Sequence, residues 1–101
     1  MAETQIKVYT GVILGYRRGS NTQYERQMLI RVDGINSRSE ASRLIGWRVA
    51  YRDKKGRVFK GKIVRVHGNK GVVIAVFDPP LPGQAIGDNV YIYPKGVILE
   101  F

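Results

Sequence analysis

Apolar residues recur at every second position through much of the chain. Ile6, Val8, Thr10, Val12, Leu14 and Tyr16 alternate with Lys7, Tyr9, Gly11, Ile13 and Gly15, which is the period of a half-buried strand with its even positions facing a core. Arg17 to Thr22 reads as a loop. After it, Tyr24, Met28, Ile30 and Val32 share one face while Gln23, Glu25, Gln27 and Arg31 share the other, and Asp33-Gly34 turns the chain. The cleanest alternation is Trp47, Val49 and Tyr51 against Arg48, Ala50 and Arg52. It predicts a strand with an aromatic inner face and a cationic outer one.

Asp53-Lys54-Lys55-Gly56 closes a hairpin into a strand over Arg57 to Val66, with Val64 and Val66 inward and a bulge expected near Gly61-Lys62. His67 to Gly71 forms a second turn. Val72 to Phe77 is apolar on both faces, as expected of a central strand. Asp78 to Gly83 holds three prolines, which lack the amide that a sheet interior requires. Asn89 to Tyr93 and Val97 to Phe101 then read as two final strands. Only one stretch reads as helical: Ser37 and Glu40 have capping-box spacing, and Gly46 suits the end of a short helix near residues 38–44.

Composition supports the strand reading. Val and Ile supply 22 residues against five Leu and five Ala, and twelve glycines break the chain at short intervals. β-branched side chains pack well on a pleated sheet, so the class is all-β, a barrel or sandwich of short strands. At 101 residues the expectation is a single domain spanning 1–101. There is no cysteine, which removes disulfides and thiolate chemistry and fits a reducing, intracellular setting. The longest apolar run is six residues, too short for a membrane span or the apolar region of a signal peptide.

Charge changes the picture most. The chain carries +9, but residues 17–70 hold fifteen Lys or Arg against four carboxylates, a net of +11, whereas residues 71–101 hold one Lys against three carboxylates, a net of −2. So dense a cationic segment favours a polyanionic partner. Arg outnumbers Lys, and Arg suits both phosphate recognition and base stacking.

Catalytic groups are sparse. A single histidine rules out paired-histidine metal sites, the eight carboxylates are scattered, and no glycine-rich phosphate loop precedes a helix. The expectation is no enzyme activity, no cofactor and no metal. Basic residues instead cluster around turns, in Tyr16-Arg17-Arg18-Gly19, Lys54-Lys55-Gly56-Arg57, Lys60-Gly61-Lys62 and Arg65 to Lys70. Together with Arg48 on the cationic strand they nominate Arg17, Arg18, Arg48, Lys54, Lys55, Lys60, Lys62, Arg65, His67, Asn69 and Lys70 as RNA-binding residues. RNA fits better than DNA because no helix is long enough to fill a major groove. Trp47 is assigned to the core, while Tyr16 is read either as a core residue, by its parity, or as an aromatic plane for base stacking.

The chain resembles the archaeal and eukaryotic large-subunit ribosomal proteins of the "thirty-five Ae" type. The resemblance runs through Gly15 to Gly19, Arg31 to Ile35, Gly46 to Tyr51 and, most specifically, Gly61-Lys62-Ile63-Val64-Arg65-Val66-His67-Gly68-Asn69-Lys70-Gly71. It continues in Leu81-Pro82, Ala85-Ile86-Gly87 and Tyr93-Pro94. It implies a closed six-stranded Greek-key barrel similar to translation-factor barrel domains. It also implies a cytoplasmic, ribosome-associated constituent that binds large-subunit ribosomal RNA beside neighbouring ribosomal proteins, as a monomer within the ribosome. By position, Arg17, Arg18, Lys62, Arg65, His67, Asn69 and Lys70 become the leading contacts. Transfer RNA is a second candidate ligand, and a free RNA-chaperone or RNA-modification accessory module is the alternative function. This sequence departs from the family pattern in its short Arg52–Lys60 hairpin, which resembles the archaeal form, and in Asp88, which stands where a basic residue is usual.

Overall fold

The computed structural model describes residues 8–18, 23–68, 70–78 and 80–94, with Arg18 and residues 23–25 described by their backbone. Six strands form a closed antiparallel barrel: β1 (Tyr9–Arg18), β2 (Gln23–Val32), β3 (Arg48–Arg52), β4 (Val58–His67), β5 (Val72–Phe77) and β6 (Asn89–Tyr93). Around the barrel the order is β1-β2-β5-β4-β3-β6, closed by the pairing of β6 with β1. Strands β3, β4 and β5 follow one another, and β6 returns to lie beside β3, which is Greek-key connectivity. Each of the six described strands therefore has a hydrogen-bonded neighbour on both sides. The expected strand at Val97 to Phe101 and the start of the first strand at Ile6 and Lys7 lie outside the described residues.

The helix α1 spans Arg38–Ser42, shorter than expected, and the serine half of the predicted cap is present: the Glu40 amide donates to Ser37 Oγ at 3.3 Å. Residues 43–47 then close through tight turns, with Leu44 N–H to Ala41 O at 3.0 Å and Trp47 N–H to Leu44 O at 2.9 Å. Leu44 is thereby packed into the hydrophobic cluster, where it is 2% exposed.

Ile13, Met28, Ile30, Val49, Ile63, Val73, Ala75, Phe77, Val90 and Ile92 fill the interior. Met28, Ile30, Val32, Val49 and Tyr51 face inward as their periodicity requires. Trp47 and Tyr16 are partly buried and pack against that cluster; the Tyr16 hydroxyl donates to Leu81 O at 2.9 Å.

Two expectations of facing are overturned, and bulges explain both. In β1 it is Gly11 and Ile13 that point inward, while Val8 and Leu14 are 40% and 45% exposed. Gly11 passes so close to β2 that a Cβ there would lie 2.8 Å from Arg31 O. The ladder pairs Ile13 with Ile30 but Gly15 with Leu29, leaving Leu14 as an extra residue and returning Tyr16 to the inner face opposite Met28. In β4 the bulge is at Val64 and not at Gly61-Lys62: Ile63 pairs with Ala75 and Arg65 with Ile74. Val64 is consequently exposed, and Gly61, Ile63 and Val66 are the inward residues.

Candidate nucleic-acid interface

The ladder registers fix which side chains share the outside of the barrel. One outer row runs Tyr93 (β6), Arg48 (β3), Lys62 (β4), Val76 (β5) and Gln27 (β2). The next runs Tyr91, Ala50 and Lys60. On the far side of the Val64 bulge, Arg65 lies beside Ile74 and Leu29, and His67 beside Val72 and Arg31. Lys60, Lys62, Arg65 and His67 therefore form one exposed line along β4, with Lys70 exposed in the turn beyond it.

That line is unneutralised. Among the described residues, the ion pairs join Arg57 to Asp53 at 3.0 Å and Arg26 to Asp78 at 3.8 Å, and no carboxylate stands across the ladder from Lys60, Lys62 or Arg65. Arg48 and Lys62 face each other directly, a pairing that destabilises a sheet unless an anion lies over it.

The β3–β4 turn is shaped by Asp53. Its Oδ1 accepts the Arg57 amide at 2.7 Å and the Lys55 amide at 3.0 Å, and Oδ2 accepts Arg57 Nε at 3.0 Å. Burial works against ionisation there, but these bonds and the Arg57 charge outweigh it and hold the carboxyl below the usual range. Arg57 is thus committed to the turn, while Lys54 and Lys55 are exposed and make no ion pair among the described residues. Arg17 is also engaged within the protein, donating to Gln27 Oε1 at 2.8 Å. Asn69 and the Arg18 side chain lie outside the described residues.

Of the nominated residues the fold brings together Arg48, Lys60, Lys62, Arg65 and His67, places Lys70 at one end of that line, and puts Lys54 and Lys55 beyond its other end. Arg31 was not among them. It is exposed, in the His67–Val72 row, and lines a cleft of about 600 Å³ with Asp33, Asn36 and Lys70. Its outward facing is legible from the β2 alternation, but its place near Lys70 depends on β2 pairing with β5, which no local pattern reveals. Arg52, also exposed, flanks Lys54.

A second cleft, of about 310 Å³, opens between the β3–β4 turn and residues 82–88 and is lined by Tyr51, Asp53, Lys54, Lys55, Arg57, Pro82, Gln84 and Asp88. The Tyr51 hydroxyl donates to Asp88 Oδ2 at 2.7 Å. Burial, that hydrogen bond and the nearby Asp88 and Asp53 charges push the Tyr51 phenol up to about 12. No group of three or more His, Cys, Asp or Glu side chains among the described residues is placed to hold a metal ion.

Fold and surface together define a small, basic, closed β-barrel protein with an unneutralised cationic face. Residues 8–93 match the family model described as Ribosomal protein L35Ae, and the chain belongs to that family. It is 44% identical over 87 residues to a protein of Aeropyrum pernix, covering 85% of this chain and 92% of the relative. It is 47% identical over 85 residues to one of Methanopyrus kandleri, covering 83% and 94%. With a protein of Dictyostelium discoideum the identity is 37% over 103 aligned positions, covering 90% and 98%. Each of the three relatives is named as large ribosomal subunit protein eL33.

Proposed function

We propose that this chain is a non-catalytic structural constituent of the large ribosomal subunit, folded as one domain over residues 1–101, that binds ribosomal RNA through the outer face of β3 and β4. The observation that carries the RNA contact is the exposed line Lys60, Lys62, Arg65 and His67, flanked by Arg48 and without a facing carboxylate. Family membership and the names of the relatives support the ribosomal setting, and with it a cytoplasmic location beside neighbouring ribosomal proteins. Phosphates laid along this face would neutralise cations that otherwise repel one another.

Sedimentation of a cell extract tests the assignment: the chain is expected with large subunits, and its recovery only in the free pool would contradict it. At residue level, the combined K62A, R65A and K70A variant is expected to lower the slope of log affinity for ribosomal RNA against log salt by about 2 to 3. Losing the Arg65 and Lys62 stems beside Ile74 and Val76 should lower the unfolding midpoint only slightly, far less than binding falls. A matching loss of stability would assign these side chains to the fold instead.

A further inference from the structure

Asp88 breaks the charge logic of an RNA-binding surface: it is a carboxylate among Lys54, Lys55 and Arg57, in a cleft facing solvent. It is also held unusually firmly. Its carbonyl accepts the Ile13 amide at 3.0 Å and its own amide donates to Ala85 O at 3.0 Å, while the preceding Gly87 amide donates to Ile13 O at 2.8 Å. Its Oδ2 is oriented by the Tyr51 hydroxyl. Asp53, the other carboxylate of the cleft, is occupied by Arg57 and the turn amides. Asp88 is therefore the carboxylate left to face an occupant, with the Lys54 and Lys55 ammonium groups and the Gln84 amide at the same opening.

Only one common RNA base matches a fixed carboxylate with two oxygens. Guanine presents two adjacent donors, N1–H and N2–H₂, on its Watson–Crick edge. Adenine and cytosine place a ring-nitrogen acceptor beside their amino group, and uracil flanks its single N–H with two carbonyls, so each sets a lone pair against a carboxylate oxygen. At about 310 Å³ the cleft lies at the small end of ligand pockets, the size for one nucleotide. A second hollow of about 440 Å³ adjoins it, sharing Tyr51, Asp53, Lys54 and Asp88 and adding Arg52 and Tyr91, where the chain of a neighbouring nucleotide can continue.

We infer that this cleft is a binding site for one unpaired guanine nucleotide of RNA, with Asp88 reading the guanine edge and Lys54 and Lys55 holding its phosphate. The inference rests on the RNA-binding reading above and adds a base-specific site to it. Pro82 walls the cleft and gives the base a flat apolar surface to lie against.

The test is a titration of the full-length, ¹⁵N-labelled chain with 5′-GMP, IMP, AMP, CMP and UMP, followed by NMR. GMP is expected to shift amides of residues 53–57 and 84–88, and IMP, which lacks the 2-amino group, to bind about tenfold more weakly. In D88N, whose amide oxygen still accepts from Tyr51, the preference of GMP over IMP should vanish. Equal responses to all five nucleotides, or none at these amides, would overturn the inference, and the comparison of GMP with IMP stands even if D88N does not fold. Sedimentation with large subunits alongside a base-indifferent cleft would remove this inference alone; absence from large subunits would remove the ribosomal reading.

Discussion

β4 and β5 are neighbours in one barrel and present opposite chemistry to the outside. Along β4 the outward line is Lys60, Lys62, Arg65 and His67, all exposed; along β5 the outward positions are Val72, Ile74 and Val76, half-buried or buried. Ile74 is the sharpest case: it lies outside the interior cluster and is still only 1% exposed, between Leu29 on β2 and Arg65 on β4. Long cationic side chains lay their methylene stems on apolar neighbours and keep the charge in water. The apolar row therefore serves as a bed for the cationic one. A surface tuned only for solubility would intersperse both signs of charge. Here the outer ladder partners of the β4 cations are Ala50, Arg48, Val76 and Ile74.

The largest expected effect comes from breaking the turn that sets these two strands side by side. Gly71 has φ +81°, and a Cβ there would collide with the Ile35 carbonyl, while the Gly71 carbonyl accepts the Val32 amide at 3.0 Å. Gly71→Ala is expected to lose about 3 kcal/mol or more in denaturant unfolding, from left-handed strain together with a backbone clash. A loss within about 0.5 kcal/mol, the range of ordinary surface changes, would mean that the turn can relax without moving the β4–β5 register.

Ile74→Ala is the next step down. A buried Ile cut back to Ala costs about 2 to 5 kcal/mol in a core, and the lower end is expected where the cover is flexible side chains able to settle into the space. Affinity for ribosomal RNA should change less than twofold, because no charge is removed. An RNA defect as large as the stability defect would show that the apolar bed positions the Arg65 charge as well as covering its stem.

The same two strands show how much of the fold could be read from the residues. The strand segments within the described residues, the Asp53 turn and the inward set Met28, Ile30 and Val32 on β2 follow from local periodicity, and so did the cationic outer face of β3. What alternation could not reveal was where a strand carries an extra residue. Val12, Leu14 and Tyr16 look like one apolar face, but the bulge at Leu14 splits them, and Val64 is excluded from the inner row in the same way. A bulge changes the parity of everything after it without a necessary signature in residue type. The candidate site was legible as charge clusters around turns. Its geometry was not, because Arg31 reaches the His67 row only through the pairing of β2 with β5. Arg17 was nominated as an RNA contact and Arg57 belongs to one of the basic turn clusters, and both prove to be held by partners within the protein.

The finest test of the contrast is Lys62→Glu. Lys62 faces Arg48 on one side and Val76 on the other, so glutamate converts a like-charge cross-strand pair into an opposite one without touching the apolar side. The free protein should gain a few tenths of a kcal/mol, at most about 1, in unfolding at low salt, and the gain should fade as salt screens it. RNA affinity should fall further than in Lys62→Ala, since a repelling charge replaces an attracting one. A variant that is both more stable and a weaker RNA binder separates what this surface costs the free protein from what it does for its ligand. If stability falls instead, the Lys62 stem matters more to the packing around Val76 than its charge does to Arg48.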